Sequence, residues 1–177
     1  MSATMPVELA PVVSATARWL AHAFPSPWPG AFSSALVELQ ARQAVTVAAW
    51  LRYPTAVDAE LLAMVGPGGA DHLDWVFGLA VAGTDQPWRS WVDEVVASWA
   101  GCLLTDAALA GTAVAALTRR TGSRSLAARF RRLLTPDAQD RHAAVLLRHP
   151  DLVAPVADLH TRELLALLRS DQPAASH

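Results

Sequence analysis

Cys102 is the only cysteine and the strongest potential nucleophile in this chain. A reactive thiolate needs a base beside it or a field that lowers its pKa, and six histidines are available as partners. Cys102, however, continues Trp99, Ala100 and Gly101 at the end of an apolar helical run, the setting of a small, inert core residue. No serine lies in a Gly-x-Ser-x-Gly elbow, and no strand pattern exists to present one. His142 and His149 are seven residues apart and His160 eleven further on, too distant along a helix for adjacent side chains to chelate one ion. The glycine-rich Gly66-Pro67-Gly68-Gly69 lacks the Lys-Ser/Thr ending of a phosphate loop and places a proline where an amide is needed, so it reads as a connector. Among the carboxylates, Asp71 reads as a helix cap, while Asp71, His72 and Asp74, like Asp93 and Glu94, are expected on solvated faces. No catalytic residue, cofactor site or metal site is expected, and the chain reads as non-enzymatic.

Charge and aromatic residues point instead to contact. All 14 basic residues are Arg, and they are unevenly placed. Residues 1–118 carry four Arg against ten acids, residues 119–141 seven Arg against two, and residues 142–177 three against four. Arg119, Arg120, Arg124, Arg129 and Arg132, with Arg131 and Arg141, therefore form a local basic face. Nucleic acid would be the sharpest ligand for such a face, but the whole chain is acidic at −2, which opposes the long-range attraction that phosphate binding exploits. An acidic protein surface, or the chain's own acidic half, is the better complement. Seven Trp stand against a single Tyr. Trp19, Trp50, Trp75 and Trp99 are expected in the core, whereas Trp28, between prolines, and Trp88, at a helix start, are expected to be partly exposed and to join the Arg residues in partner binding. A Trp-lined pocket for a small apolar ligand is the alternative use of these rings.

The elements that position these residues are helices. Proline and glycine punctuation recurs, and no stretch alternates as a half-buried strand does. The expected helices run over 12–24 and 31–52, then from a Thr55/Asp58 capping arrangement to Val65, and from Asp71 through Ala82 to a stop at Gly83. Pro87 is expected to open a helix carrying Trp88, Trp91, Val92, Val95, Val96 and Trp99 on one face. Further helices are expected at 106–120, 125–134, 136–148 and 155–169, with Thr105-Asp106 and Thr135-Pro136 as N-terminal signals and Gly122 and Pro150 among the breaks. The fold class is all-α: one domain over 1–170 of about eight or nine helices, an orthogonal bundle or stacked helix pairs, with a frayed tail over 171–177.

A chain of 177 residues can bury a core without disulfides or metals. Its 53% hydrophobic and 17% charged shares lie far from those of disordered chains. Val95 to Leu117 is long enough to span a bilayer, but Asp106 at its middle would cost roughly 2.5–3.5 kcal/mol there. Two helices meeting at Asp106 are expected instead. With no signal-peptide pattern at the start and a single cysteine, a cytoplasmic location is expected, and a membrane would be met only indirectly through a partner.

Two stretches, Asp58-Ala59-Glu60-Leu61-Leu62 through Asp74-Trp75-Val76-Phe77-Gly78-Leu79-Ala80, and Gly111–Leu117 through Arg129-Phe130-Arg131-Arg132-Leu133-Leu134 before Thr135-Pro136, resemble the SctK family, the accessory adaptor of the type III secretion sorting platform. They cover under half the chain, and Thr135 interrupts the Leu-Pro ending of that pattern. The resemblance implies a bacterial cytoplasmic adaptor with no substrate and no cofactor. The expected function is accordingly a helical adaptor or scaffold acting by protein–protein contact. The alternative is a helical ligand-binding regulator or a chaperone-like binder of an apolar peptide.

Overall fold

A computed structural model describes residues 7–66, 68–79 and 86–172. Among them the chain is all-α, with ten helices and no strand. After a 3₁₀ turn at Val7–Leu9 come α1 (Ala10–Ala23), α2 (Ala31–Arg52), α3 (Ala56–Val65) and α4 (Gly69–Phe77). A second 3₁₀ turn at Arg89–Trp91 leads to α5 (Glu94–Thr105) and α6 (Ala107–Thr121). Three short helices, α7 (Leu126–Arg129), α8 (Arg131–Leu134) and α9 (Ala138–Ala143), precede the long α10 (Pro150–Ser170).

The core forms around α5, which packs against both α2 and α10, while α1 lies along α2. Every residue of α5 from Val96 to Leu104 is buried, so this helix is apolar all round because it is covered all round. Gly101 makes that covering possible: a Cβ there would stand 3.3 Å from Val153 Cγ1 and 3.4 Å from the Ala157 amide nitrogen. Ser98 then enters the α10 ladder. Its hydroxyl donates to the Ala157 carbonyl at 3.1 Å and accepts from the His160 amide at 3.0 Å, and His160 has non-helical φ and ψ of −131° and 21°. A side chain inserted into the backbone ladder is a recognised cause of a helix kink.

Several helix boundaries follow the expected chemistry. Thr55 and Asp58 make a reciprocal capping box at α3, and the Asp106 side chain accepts from the Ala108 and Leu109 amides to start α6. Val95 to Leu117 is thus two helices, and no helix among the described residues is long and apolar enough to cross a membrane. Gly122, with φ 66°, closes α6.

Others differ for identifiable reasons. The helix expected from Pro87 through Trp99 is two elements, because the Asp93 side chain accepts from Val95 and Val96 amides and restarts the chain at Glu94. Helix α4 begins at Gly69, with Asp71 inside its first turn instead of capping it, and ends at Phe77 because Gly78 turns left-handed at φ 60°. The stop expected at Gly83 lies outside the described residues. The helix expected over 125–134 is divided at Phe130, and Asp137, not Thr135, caps α9 through a second capping box. Pro150, expected as a break, opens α10 at its first position, where a missing amide costs nothing. Asp171, expected in a frayed tail, is held by an ion pair from Arg120 at 2.9 Å.

Candidate protein-contact surfaces

The basic segment is tied into the molecule by two glutamines of α2. The Gln43 amide donates to the Arg129 carbonyl at 3.0 Å and accepts from the Leu133 amide at 2.9 Å. Buried Gln40 donates to the Asp140 carbonyl at 2.8 Å and accepts from Arg148 Nε at 2.7 Å. Arg148 also donates to the Arg132 carbonyl at 3.0 Å, and the Arg132 guanidinium pairs with Asp140, whose side chain is only 1% exposed. Burial lowers the Arg148 pKa against the opposing pull of Asp140, yet a guanidinium stays protonated throughout the accessible pH range. At the α9 cap, backbone hydrogen bonds hold the Asp137 carboxyl below the usual range.

The five arginines expected to bind a partner therefore divide. Arg119 donates to the Asp171 carbonyl at 3.2 Å and Arg120 pairs with the Asp171 carboxylate. The guanidinium of Arg129 lies 4.7 Å from the centre of the Trp50 ring, a cation–π contact. Arg132 is engaged with Asp140 as above. Arg124 is exposed and makes no hydrogen bond or ion pair among the described residues. Arg129 is exposed as expected, with its guanidinium over the Trp50 ring of α2, whereas Arg132 is partly buried and held by Asp140.

The tryptophans are sorted in a similar way. Trp19, Trp50 and Trp99 are core residues as expected. Trp19 donates its indole N–H to Asp74 at 3.0 Å, and Asp74 also pairs with Arg89; Asp74 is buried, not solvated. Asp93 is likewise buried and receives the Tyr53 hydroxyl, so the expectation of a solvated face is corrected there too. Burial, reinforced by that hydrogen bond, pushes the Tyr53 pKa far above its ordinary value. Trp88 is partly buried against the core. Trp28 is half exposed and stacks on His142 with ring centres 4.5 Å apart. Trp75, expected in the core, is 79% exposed, because Asp74 and Leu73 occupy the inward positions of α4.

Cys102 is buried, and its thiol donates to the Ala157 carbonyl at 3.3 Å and lies 3.3 Å from the Thr161 hydroxyl. Burial pushes its pKa up, with the Thr161 hydrogen bond opposing. His72 and His160 both face Glu94, at 3.5 and 3.8 Å, but among the described residues no three His, Cys, Asp or Glu side chains are arranged to hold a metal ion.

The most exposed apolar surface lies on α3, which was not among the expected partner-binding residues. Of its ten residues only Asp58 and Glu60 are polar. A helix apolar on every side is ordinarily covered on every side. Here only Ala59 is buried and Leu62 packed on the core, while Val57, Leu61, Met64 and Val65 are 64%, 52%, 81% and 81% exposed. The spacing of these four, i, i+4, i+7 and i+8, makes one ridge about 12 Å long at 1.5 Å per residue. An open groove of about 300 Å³ runs beside it, lined by Arg52, Tyr53, Asp58, Leu61, Leu62 and Val65.

Comparison with protein-family models, with characterised proteins and with solved structures gives no match to this chain.

Proposed function

We propose that this chain is a non-enzymatic helical adaptor acting by protein–protein contact, with α3 as its principal contact element. The observation that carries the reading is the mismatch between α3's composition and its environment. The helix is as apolar as the central α5, yet it is covered on one side only. Exposed apolar ridges of this kind mark interaction sites on folded proteins. The exposed Trp75 on α4 adds an aromatic anchor of the type that dominates interface energetics. The resemblance to the SctK adaptors agrees with this role and would place the chain at a bacterial secretion platform.

The basic segment takes a smaller part in this proposal than its charge suggests. Arg120, Arg129 and Arg132 already have partners within the fold, leaving Arg124 and Arg131 as the exposed members with none among the described residues. The test is capture from the native host with tagged wild-type protein, a Leu61→Glu, Met64→Glu variant and an Arg124→Glu variant. The expected result is a specific protein retained by wild type and Arg124→Glu and lost with the α3 variant at unchanged helicity. Equal retention by all three overturns α3 as the contact element.

A further inference from the structure

We propose that the α3 ridge receives a basic amphipathic helix of a partner protein. This rests on the protein-contact reading above and goes beyond it by naming the partner's chemistry. The ridge has the shape of a helix seat: Val57, Leu61 and Val65 at i, i+4 and i+8 form a row of the kind that interdigitates with an opposing helix, with Met64 beside it.

The charge around it selects the occupant. From Thr55 to Leu79 the chain carries Asp58, Glu60, Asp71 and Asp74 and no Arg or Lys. Asp71 and Asp74 both pair with Arg89, but Asp58 lines the groove beside the ridge and Glu60 is exposed within the ridge helix itself. Arg52, over the Tyr53 ring, is the one cation lining the adjoining groove. A partner with Lys or Arg flanking its apolar stripe answers this acidic setting.

Three other occupants fit less well. A two-fold pairing of α3 with α3 would set Asp58 and Glu60 of both copies along one seam with only Arg52 of each copy to answer them. A second copy's basic segment, residues 119–141, has no exposed large apolar side chain among the described residues to cover the ridge. An anionic membrane surface would be repelled by the same carboxylates.

The experiment is a methyl NMR titration of the full chain with two synthetic peptides sharing one Leu/Ala stripe, one flanked by Lys and Arg, the other by Glu and Asp at the same positions. The basic peptide is expected to shift the Leu61 and Met64 methyl signals. Its affinity should fall roughly tenfold with Glu60→Arg, and wild-type affinity should fall as salt is raised. Leu61→Glu should abolish the shifts while circular dichroism and the thermal midpoint stay at wild-type values; should that variant unfold, Met64→Glu, at a more exposed position, replaces it. Equal or tighter binding of the acidic peptide overturns the charge assignment and leaves the protein-contact reading standing. A dimer abolished by Leu61→Glu, or binding to anionic vesicles in place of the basic peptide, overturns the named occupant. Silence of α3 towards both peptides overturns it as well, and the adaptor reading falls with it only if the native partner is also captured equally by the α3 variant.

Discussion

Arg132 and Arg124 lie eight residues apart in the same basic segment and should respond oppositely to mutation. Arg132→Ala removes the ion-pair partner of the buried Asp140 carboxylate, which also accepts from the Asp137 amide in the α9 capping box, and should cost about 2–3 kcal/mol in urea unfolding, the loss being tempered by partial solvent access. Arg124→Glu should stay within about 0.5 kcal/mol of wild type. Tyr53 offers a cleaner probe because it is the only tyrosine in the chain. Its folded pKa is raised above the ordinary 10.0 by burial and by Asp93, so the folded state holds the phenolic proton more tightly than the unfolded one. The stability this contributes is fully present below pH 10 and is lost as pH climbs above it. Tyrosinate absorbance should therefore stay absent in the native protein through pH 10–11 and appear near pH 10 once the chain is unfolded. Cys102 was legible as an inert core thiol from its apolar neighbours alone. Its raised pKa implies negligible alkylation of native protein at neutral pH and rapid alkylation after unfolding. The partnerships of Arg132 with Asp140 and of Gln40 with Arg148 were not legible, since the latter spans 108 positions in sequence and nothing local announces a contact of that range.

Helices were readable wherever a side chain closes a local hydrogen bond. The Thr55/Asp58 box and the Asp106 cap are local by construction, and both stand where the spacing placed them. Asp93 is the instructive miss. The apolar period from Trp88 to Trp99 suggested one helix, but a carboxylate positioned to accept two amides outcompetes continuation and turns Trp88 and Trp91 into the lead-in to α5. The α10 kink depends on Ser98, 62 residues from the His160 amide it receives. Ser98→Ala should cost about 1–3 kcal/mol, because it strands the His160 amide, whereas the Ala157 carbonyl keeps the Cys102 thiol and the Thr161 hydroxyl as donors. Trp99→Ala should cost roughly 3–5 kcal/mol as a core deletion, whereas Trp75→Ala, at a largely exposed position, should change stability by less than about 0.5 kcal/mol.

At the scale of the molecule, the all-α class follows from punctuation and period, while the surface that best explains the chain's high apolar content does not. Val57, Leu61, Met64 and Val65 have the composition of core residues, and only the packing of α5 between α2 and α10 shows that the core is complete without them. The charge asymmetry in the sequence drew attention to the Arg119–Arg141 segment, much of which serves to fasten α7, α8 and α9 onto α2. The acidic half, read only as a counterweight, carries the unpartnered ridge. The central claim, that α3 meets another protein, is tested most directly by placing a photo-crosslinking amino acid at Met64 and, separately, at Arg124 in the native host. The account predicts a discrete adduct with a different protein from position 64, lost when Leu61→Glu is added. Adducts from position 124 with none from position 64 would contradict it.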